Sequence, residues 1–288
     1  MGLLLTRGGV LAPLSVLASL DPLRGSFTAV CPSQKGFPSL IGRMVYTPGE
    51  RSAHLAFLLP ASGVEHPGLP ALMESLAATA GAWGALNLLA EVEETQPALE
   101  AFRRSGFAVY GWQTIWKFDS PLASRHSGEW RPPLPTEENA VRSLYQLLVP
   151  PLVQAAEPFA GHTGERLVYR QGGEILAYAD LLYGPEGVFI QPLLHPGLKQ
   201  PEEALQTLLG CFISLPARPV YVAARSYQAW LEPVLNRLGG YVSPRQALLV
   251  RHLVATARVG VLARQIAGES FNHEATVPMI QSSIIYKN

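Results

Sequence analysis

Charge is scarce in this sequence and balanced where it occurs. Of 288 residues, 15% are charged, and 22 Lys and Arg face 22 Asp and Glu. A nucleic-acid partner demands a basic excess to neutralise phosphates, so none is expected. Cysteine is nearly absent. Cys31 and Cys211 lie far apart without metal-ligand spacing and read as buried, reduced thiols, in keeping with a cytoplasmic protein. No His/Cys cluster has zinc spacing, and there is neither a Walker loop nor a glycine-rich dinucleotide fingerprint. Gly268-Glu-Ser-Phe271 lacks the second Gly of a nucleophile elbow. Long apolar runs are missing too. The first one, Leu3-Leu-Leu5, has no basic segment before it. Gly8-Gly9 and Pro13 interrupt it well short of the roughly 20 residues a membrane span needs. Neither a signal peptide nor a transmembrane helix is expected.

What is present is apolar bulk. Hydrophobic residues make up 48% of the chain, enough for a large core in two domains of ordinary size. One stretch organises the rest. From Pro97 to Arg104, Ala98, Leu99 and Phe102 recur three to four apart, opposite Glu100, Arg103 and Arg104, so the segment reads as an amphipathic helix. Gly106 ends it in a left-handed turn. Phe107–Trp116, rich in aromatic and β-branched residues, then reads as a strand. Tyr110, Trp112 and Trp116 at alternate positions suggest one aromatic strand face, for packing or for ligand stacking.

Residues 3–30 read as a short strand and a Leu/Ala-rich helix. Ser39–Tyr46 and Ala53–Leu59 read as strands around the turn Thr47-Pro-Gly-Glu50, and Gly68–Ala80 as a helix. Ala85–Val92 suits a buried strand. Residues 119–136 carry Asp-Ser-Pro, His-Ser-Gly and Arg131-Pro-Pro-Leu-Pro135, which is linker chemistry. Domains are therefore expected at 1–120 and 137–253, joined by a linker over 121–136. A helix over Val254–Ile266 and an extended tail over Met279–Tyr286 follow, within 254–288. In the second domain, Ala140–Ala156 reads as helix interrupted at Pro150-Pro151. Arg166–Arg170, Ile175–Tyr183, Val188–Leu193 and Pro219–Ala224 read as strands. Glu202–Leu215 and Tyr227–Leu238 read as helices, and Tyr241–His252 as a closing strand or hairpin.

The two halves share a register. A shift of 133 sets Gly106 on Gly239 and also Gln113 on Gln246, Ala90 on Ala223, Ala71 on Ala204, Leu72 on Leu205 and Leu76 on Leu209, with no gap. Two copies of one architecture in tandem account for this.

The order strand, loop, helix, strand, helix, Gly-Phe, strand resembles the GNAT superfamily of acyl-CoA-dependent N-acetyltransferases. Ala98, Phe102, Gly106 and Phe107 sit at the places that the family's late motif uses. The resemblance spans about residues 36–118 and 164–252. It implies an α/β protein of two tandem GNAT-like domains, each a mixed, twisted sheet flanked by helices. It also implies acetyl-CoA as cosubstrate and an acyl group passed to the amine of a small molecule or peptide. The family's pyrophosphate signature falls on Glu65-His-Pro-Gly-Leu-Pro70, where only Gly68 matches. In the second half its slots are Leu198, Pro201 and Glu203. Helix N-termini favour anions through free N–H groups and the macrodipole. The resemblance therefore assigns Leu59, Val64, Gly68, Leu69, Ala71, Thr95 and Phe102 to the cofactor. Gly68 also reads as an ordinary helix-start glycine. The family's Tyr acid corresponds to Phe102 and to Leu235, and its Asn to Thr95 and to Gln228. None of Phe102, Leu235, Thr95 and Gln228 reproduces the motif residue, so a catalytically silent binding protein stands as the alternative function.

His54 lies on the strand that carries a general base in the family. It reads either as that base or as a partly exposed strand histidine. Glu91, Glu93 and Glu94 read as an attractor for a cationic amine or as a solvated acidic turn. His66-Pro-Gly68 and His195-Pro-Gly197 repeat a tripeptide off the 133 shift and read as turn chemistry. The first half is expected to hold the cofactor around Val64–Leu72, and the second to complete the acceptor cleft or to serve as a dimer-like partner.

Overall fold

The computed structural model describes residues 25–34, 36–119, 130–159, 165–212 and 218–253. The expected elements before residue 25 and after residue 253, and most of the expected linker, lie outside these residues. In the first half, β1 (Gly25–Cys31), β2 (Leu40–Tyr46), β3 (Ser52–Leu59), α1 (Leu69–Ala82), β4 (Asn87–Glu93), α2 (Ala98–Arg104) and β5 (Ala108–Phe118) follow one another. The second half runs α3 (Glu138–Leu148), α4 (Pro151–Ala156), β6 (Glu165–Gln171), β7 (Glu174–Gly184), β8 (Gly187–Leu194), α5 (Pro201–Gly210), β9 (Val220–Arg225), α6 (Glu232–Arg237), β10 (Tyr241–Val242) and β11 (Gln246–His252). From β2 onward the order of elements is as the sequence implies, whereas β1 is a strand where the reading of residues 3–30 ends in a helix.

The strands form a single sheet in the order β1-β2-β3-β4-β11-β5-β9-β8-β7-β6, with β10 also on β5. Pairing is antiparallel except for β3 with β4 and β8 with β9. Parallel neighbours require a crossover, which α1 and α5 supply. Each half inserts its last long strand into the other: β11 lies between β4 and β5, and β5 lies between β11 and β9. At the centre Gln113 faces Gln246, and Gln113 Nε2 donates to Gln246 Oε1 at 3.0 Å. These residues are 133 apart, the shift of the internal repeat. An approximate twofold thus passes through one glutamine pair. Gly106 and Gly239, which end the equivalent helices α2 and α6, both hold positive φ, 86° and 81°. A side chain there would be strained.

Strand alternation separates two core layers. Leu88 and Ala90 of β4 and Ala247 and Leu249 of β11 join Leu72, Met73 and Leu76 of α1 and Phe102 of α2. Ala177 and Ala179 of β7 join Leu205, Leu208 and Leu209 of α5 and Leu235 of α6. The intervening residues Leu89, Tyr178, Leu248 and Val250 point the other way, under Val141 and Leu144 of α3 and Val153 of α4. Helix α4 also reaches across to the first half. Ser52 Oγ donates to Ala156 O at 2.8 Å, and Asn87 Nδ2 to Ala155 O at 3.4 Å. Those bonds occupy carbonyls that a helix C-terminus leaves open.

Three further expectations are corrected. The aromatic strand face is broken, because Tyr110 is bulged out of register between Val109 and Gly111. Tyr110 joins the α3–α4 layer while Trp112 packs in the α1–α2 layer. Tyr227–Leu238 is not one helix. Ser226–Leu231 is a 3₁₀ turn with Gln228 non-helical at φ −124°, because that side chain is drawn inward to donate to Leu194 O at 2.7 Å. The thiols are not buried: Cys31 is half-buried and Cys211 exposed, both free.

The segment before α3 is anchored by Glu137. Its carboxylate takes Arg131 at 2.6 and 2.8 Å, Arg170 at 3.0 Å and the Leu134 N–H at 2.8 Å. The hydrogen bonds from Arg131 and Leu134 hold its pKa down to about 2. Two outcomes follow from this architecture. Leu249 is fully buried on the inserted strand, so Leu249→Ala lowers unfolding stability by about 2–5 kcal/mol in urea titrations. Glu137 stabilises the fold above its unfolded pKa and loses that contribution as pH falls toward about 2. Glu137→Gln therefore lowers the melting temperature at pH 7, and the gap to wild type narrows as the scan moves to pH 3.

Candidate functional site

The first half opens where β3 and β4 part. Their parallel pairing covers only Ser52–His54 against Asn87–Leu89. Beyond it, among the described residues, β3 pairs with β2 alone and β4 with β11 alone. A bulge at Ala56, between the Leu55–Met44 and Phe57–Arg43 pairs, bends β3 at this point. The half-buried run Leu55–Leu59 therefore borders a wedge and turns an unpaired main-chain edge into it.

At the mouth of the wedge lie the 3₁₀ turn Ala61–Glu65 and the start of α1. Four amides open a helix without partners inside it. Here Leu69 N–H donates to His66 O and Leu72 N–H to Gly68 O, both at 3.0 Å, and Pro70 has none. That leaves Ala71 N–H on the exposed first turn, which carries no acidic residue. The Gly68 amide is already taken by His66 Nδ1 at 2.9 Å. A Cβ at Gly68 would stand 2.3 Å from Cys31 Sγ, so close packing alone requires glycine there. The second His-Pro-Gly forms the same turn, with Gly197 N–H on His195 Nδ1 at 2.9 Å.

The equivalent wedge of the second half begins after Ile190 and Val222, but side chains close it. Arg225 Nη2 of β9 donates across to Gln191 Oε1 of β8 at 3.0 Å. Buried Gln228 bonds Leu194 O at the far end of β8. Its counterpart in the first half, Thr95, is exposed and makes no such bond. Helix α5 also opens with Glu202 and Glu203, two carboxylates where an anion would bind.

Near the tip of the first wedge, residues of both halves form a polar cluster. Arg225, 6% exposed, holds Glu157 through Nη2 at 2.9 and 3.1 Å. The Tyr110 hydroxyl donates to the same carboxylate, and the Tyr145 hydroxyl to Glu157 O. Burial first, then the Glu157 charge, keeps Tyr110 protonated far above the usual tyrosine range. Glu91 accepts from Gln113 Nε2 at 3.3 Å. His54 keeps an exposed surface although protein surrounds it, as a side chain lining a cleft does. Burial lowers its pKa below 6.5, against the opposing pull of Glu157 and Glu91. It is therefore neutral near pH 7, with a ring nitrogen able to accept a proton.

The residues expected at the cofactor thus divide. Leu59, Val64, Gly68, Leu69 and Ala71 gather at the wedge mouth, Leu69 facing the core. Thr95 lies on the turn after β4. Phe102 is buried edge-on to Phe107, with ring centroids 5.2 Å apart. Glu93 accepts from Gln96 and Glu94 pairs with Arg245 at 3.5 Å, so of the three acidic residues only Glu91 joins the cluster. Sequence reasoning missed Glu157 and Arg225, and read Tyr110 only as one member of an aromatic strand face. A single arginine closing the apolar run Val220–Arg225 was the available signal.

No protein-family model and no curated protein matches the chain. Solved structures do. A GCN5-related N-acetyltransferase from Kribbella flavida is 16% identical, with 84% of this chain and 95% of that one covered and a TM-score of 0.53. One from Sphaerobacter thermophilus is 15% identical, with 83% and 85% covered and a TM-score of 0.52. A tandem GNAT protein from the clavulanic acid biosynthesis pathway is 15% identical, with 86% and 90% covered and a TM-score of 0.50. The likeness is one of fold: this chain has the GNAT fold, as two GNAT-like halves in tandem. Among the described residues no helix is long and apolar enough to cross a membrane.

The lowered pKa of His54 has a measurable consequence. The unfolded chain binds that proton near pH 6.5 and the folded chain only at lower pH. Stability therefore falls as pH drops below about 6.5. His54→Ala flattens this part of the profile in denaturant titrations between pH 7.5 and 5.5.

Proposed function

We propose that the first half binds an acyl-CoA in the wedge between β3 and β4 and transfers its acyl group to an amine. The observation that carries this reading is the asymmetry of the two wedges. Gln191, Arg225 and Gln228 fill the second, whereas the first keeps its main-chain edge and an exposed Thr95. An extended chain bearing amides can add to such an edge as a strand would. The pantetheine arm of CoA has that chemistry, and the amide of Ala71 at the α1 terminus suits its pyrophosphate. The thioester would then lie at the wedge tip, beside His54. A protonated amine gives one proton to His54 and attacks the acyl carbon. The C–S bond breaks, and the second proton lost by nitrogen ends on the thiolate. Positioning supplies much of the rate, since Phe102 offers no acid.

A silent tandem that binds ligand without turnover is the second reading. It is favoured by the buried Phe102 and by the Gly68 amide already bound to His66. Differential scanning fluorimetry tests the binding that both readings share. At a hundred times its Kd, acetyl-CoA adds about 2.7 kcal/mol, a shift of several degrees in a chain of this size. Ala71→Pro removes the one spare amide and reduces that shift, while Gln228→Thr in the second wedge leaves it in place. No shift at millimolar acetyl-CoA rejects the proposal. A shift without release of free CoA from any amine supports the silent reading.

A further inference from the structure

The acceptor's chemistry is written in Arg225; this step rests on the acyl-transfer reading above. The Arg225 guanidinium spends Nη2 on Glu157 and Gln191, while Nε and Nη1 are buried with no hydrogen-bond partner. A buried polar group in a native protein nearly always has a partner, and three unmet N–H donors on one permanent cation are a strong exception. They suit an anion that arrives with a ligand. The neighbouring charges say which anion. Arg225 sits among the carboxylates of Glu157 and Glu91, with His54 neutral beside them. One further negative charge is tolerable if its carrier brings a positive charge of its own. A phosphate dianion would add uncompensated charge next to two carboxylates.

We propose that the acceptor is a small amino acid, whose carboxylate replaces Gln191 on Nη2 of Arg225 and spans to the unmet N–H beside it, on Nε or on Nη1, and whose amine lies toward His54. The unmet hydrogens are shut off from bulk water, so the carboxylate reaches them by displacing a neighbour. Half-buried Gln191 is the one that yields, because its neutral oxygen holds Arg225 less strongly than the Glu157 carboxylate does. Closing the second wedge and reading the acceptor of the first are then two states of one arginine.

The test uses the full chain and three pairs of probes: glycine with methylamine, L-phenylalanine with phenethylamine, and L-lysine with cadaverine. Binding is followed by calorimetry, with acetyl-CoA-induced melting shifts measured in parallel. In the wild type at least one acid binds ten-fold or more tightly than its decarboxylated partner. In the double variant R225Q/E157Q, which removes both charges together, the preference vanishes while the acetyl-CoA shift persists. If the double variant does not fold, Arg225→Lys takes its place. It keeps the charge opposite Glu157 but lacks the side-by-side N–H groups of a guanidinium, and the preference falls there too. The proposal is overturned if no acid outbinds its partner in the wild type, or if the preference survives in the variants. An Arg225-dependent preference without any acetyl-CoA shift retires the acyl-transfer reading and leaves the carboxylate site standing.

Discussion

Antiparallel pairing of β5 with β11 holds the molecule together. Either half alone would keep β4 or β9 with an open edge, and an exposed edge invites association with other chains. Exchange of the last strands pairs both edges at once, and the Gln113–Gln246 bond fixes the register at the crossing. A slip by one residue would turn Ala247 and Leu249 away from α1 and α2 and would push Leu248 and Val250 into their place. The halves therefore share a sheet and two core layers, and the contacts of α4 with Ser52 and Asn87 bind them further.

A shared scaffold lets the copies diverge without loss of fold. Both retain a parallel pair that parts after three residues, a crossover helix, and a helix closed by a left-handed glycine. They differ in what borders the parting. In the first copy Ala56 is bulged and α1 opens without a carboxylate. In the second, Gln191, Arg225 and Gln228 span the gap, and Glu202 is held by Arg237 at 2.8 Å. Of the side chains that fill the second wedge, Arg225 also reaches Glu157 in the polar cluster near the tip of the first.

The fold was legible in the sequence because it rests on periodicity and turn chemistry, both local. Leu72, Met73 and Leu76 mark a helix face, Gly106 and Gly239 mark stops, and a constant shift of 133 marks the duplication. Exchange of strands was not legible, since β5 and β11 have the same pattern whether each stays in its own half or crosses over. The bulge at Tyr110 was hidden for a similar reason: one extra residue inverts the alternation that the aromatic spacing suggested. In the site, the resemblance led to the wedge mouth and His54. Arg225 and Glu157 escaped because nothing in a linear reading shows that residues 68 apart, each at the end of an apolar segment, meet as a buried pair.

Interleaving has a cost during synthesis. When β4 and β5 leave the ribosome, the strand that belongs between them is still more than a hundred residues from being made. At roughly 5–20 residues per second, the slot stays vacant for about 7 to 27 seconds. Until then the nascent first half shows two bare hydrogen-bonding edges and an apolar face to its surroundings. A chaperone that covers such edges, or slow translation timed to the second half, would decide the yield of native protein in the cell.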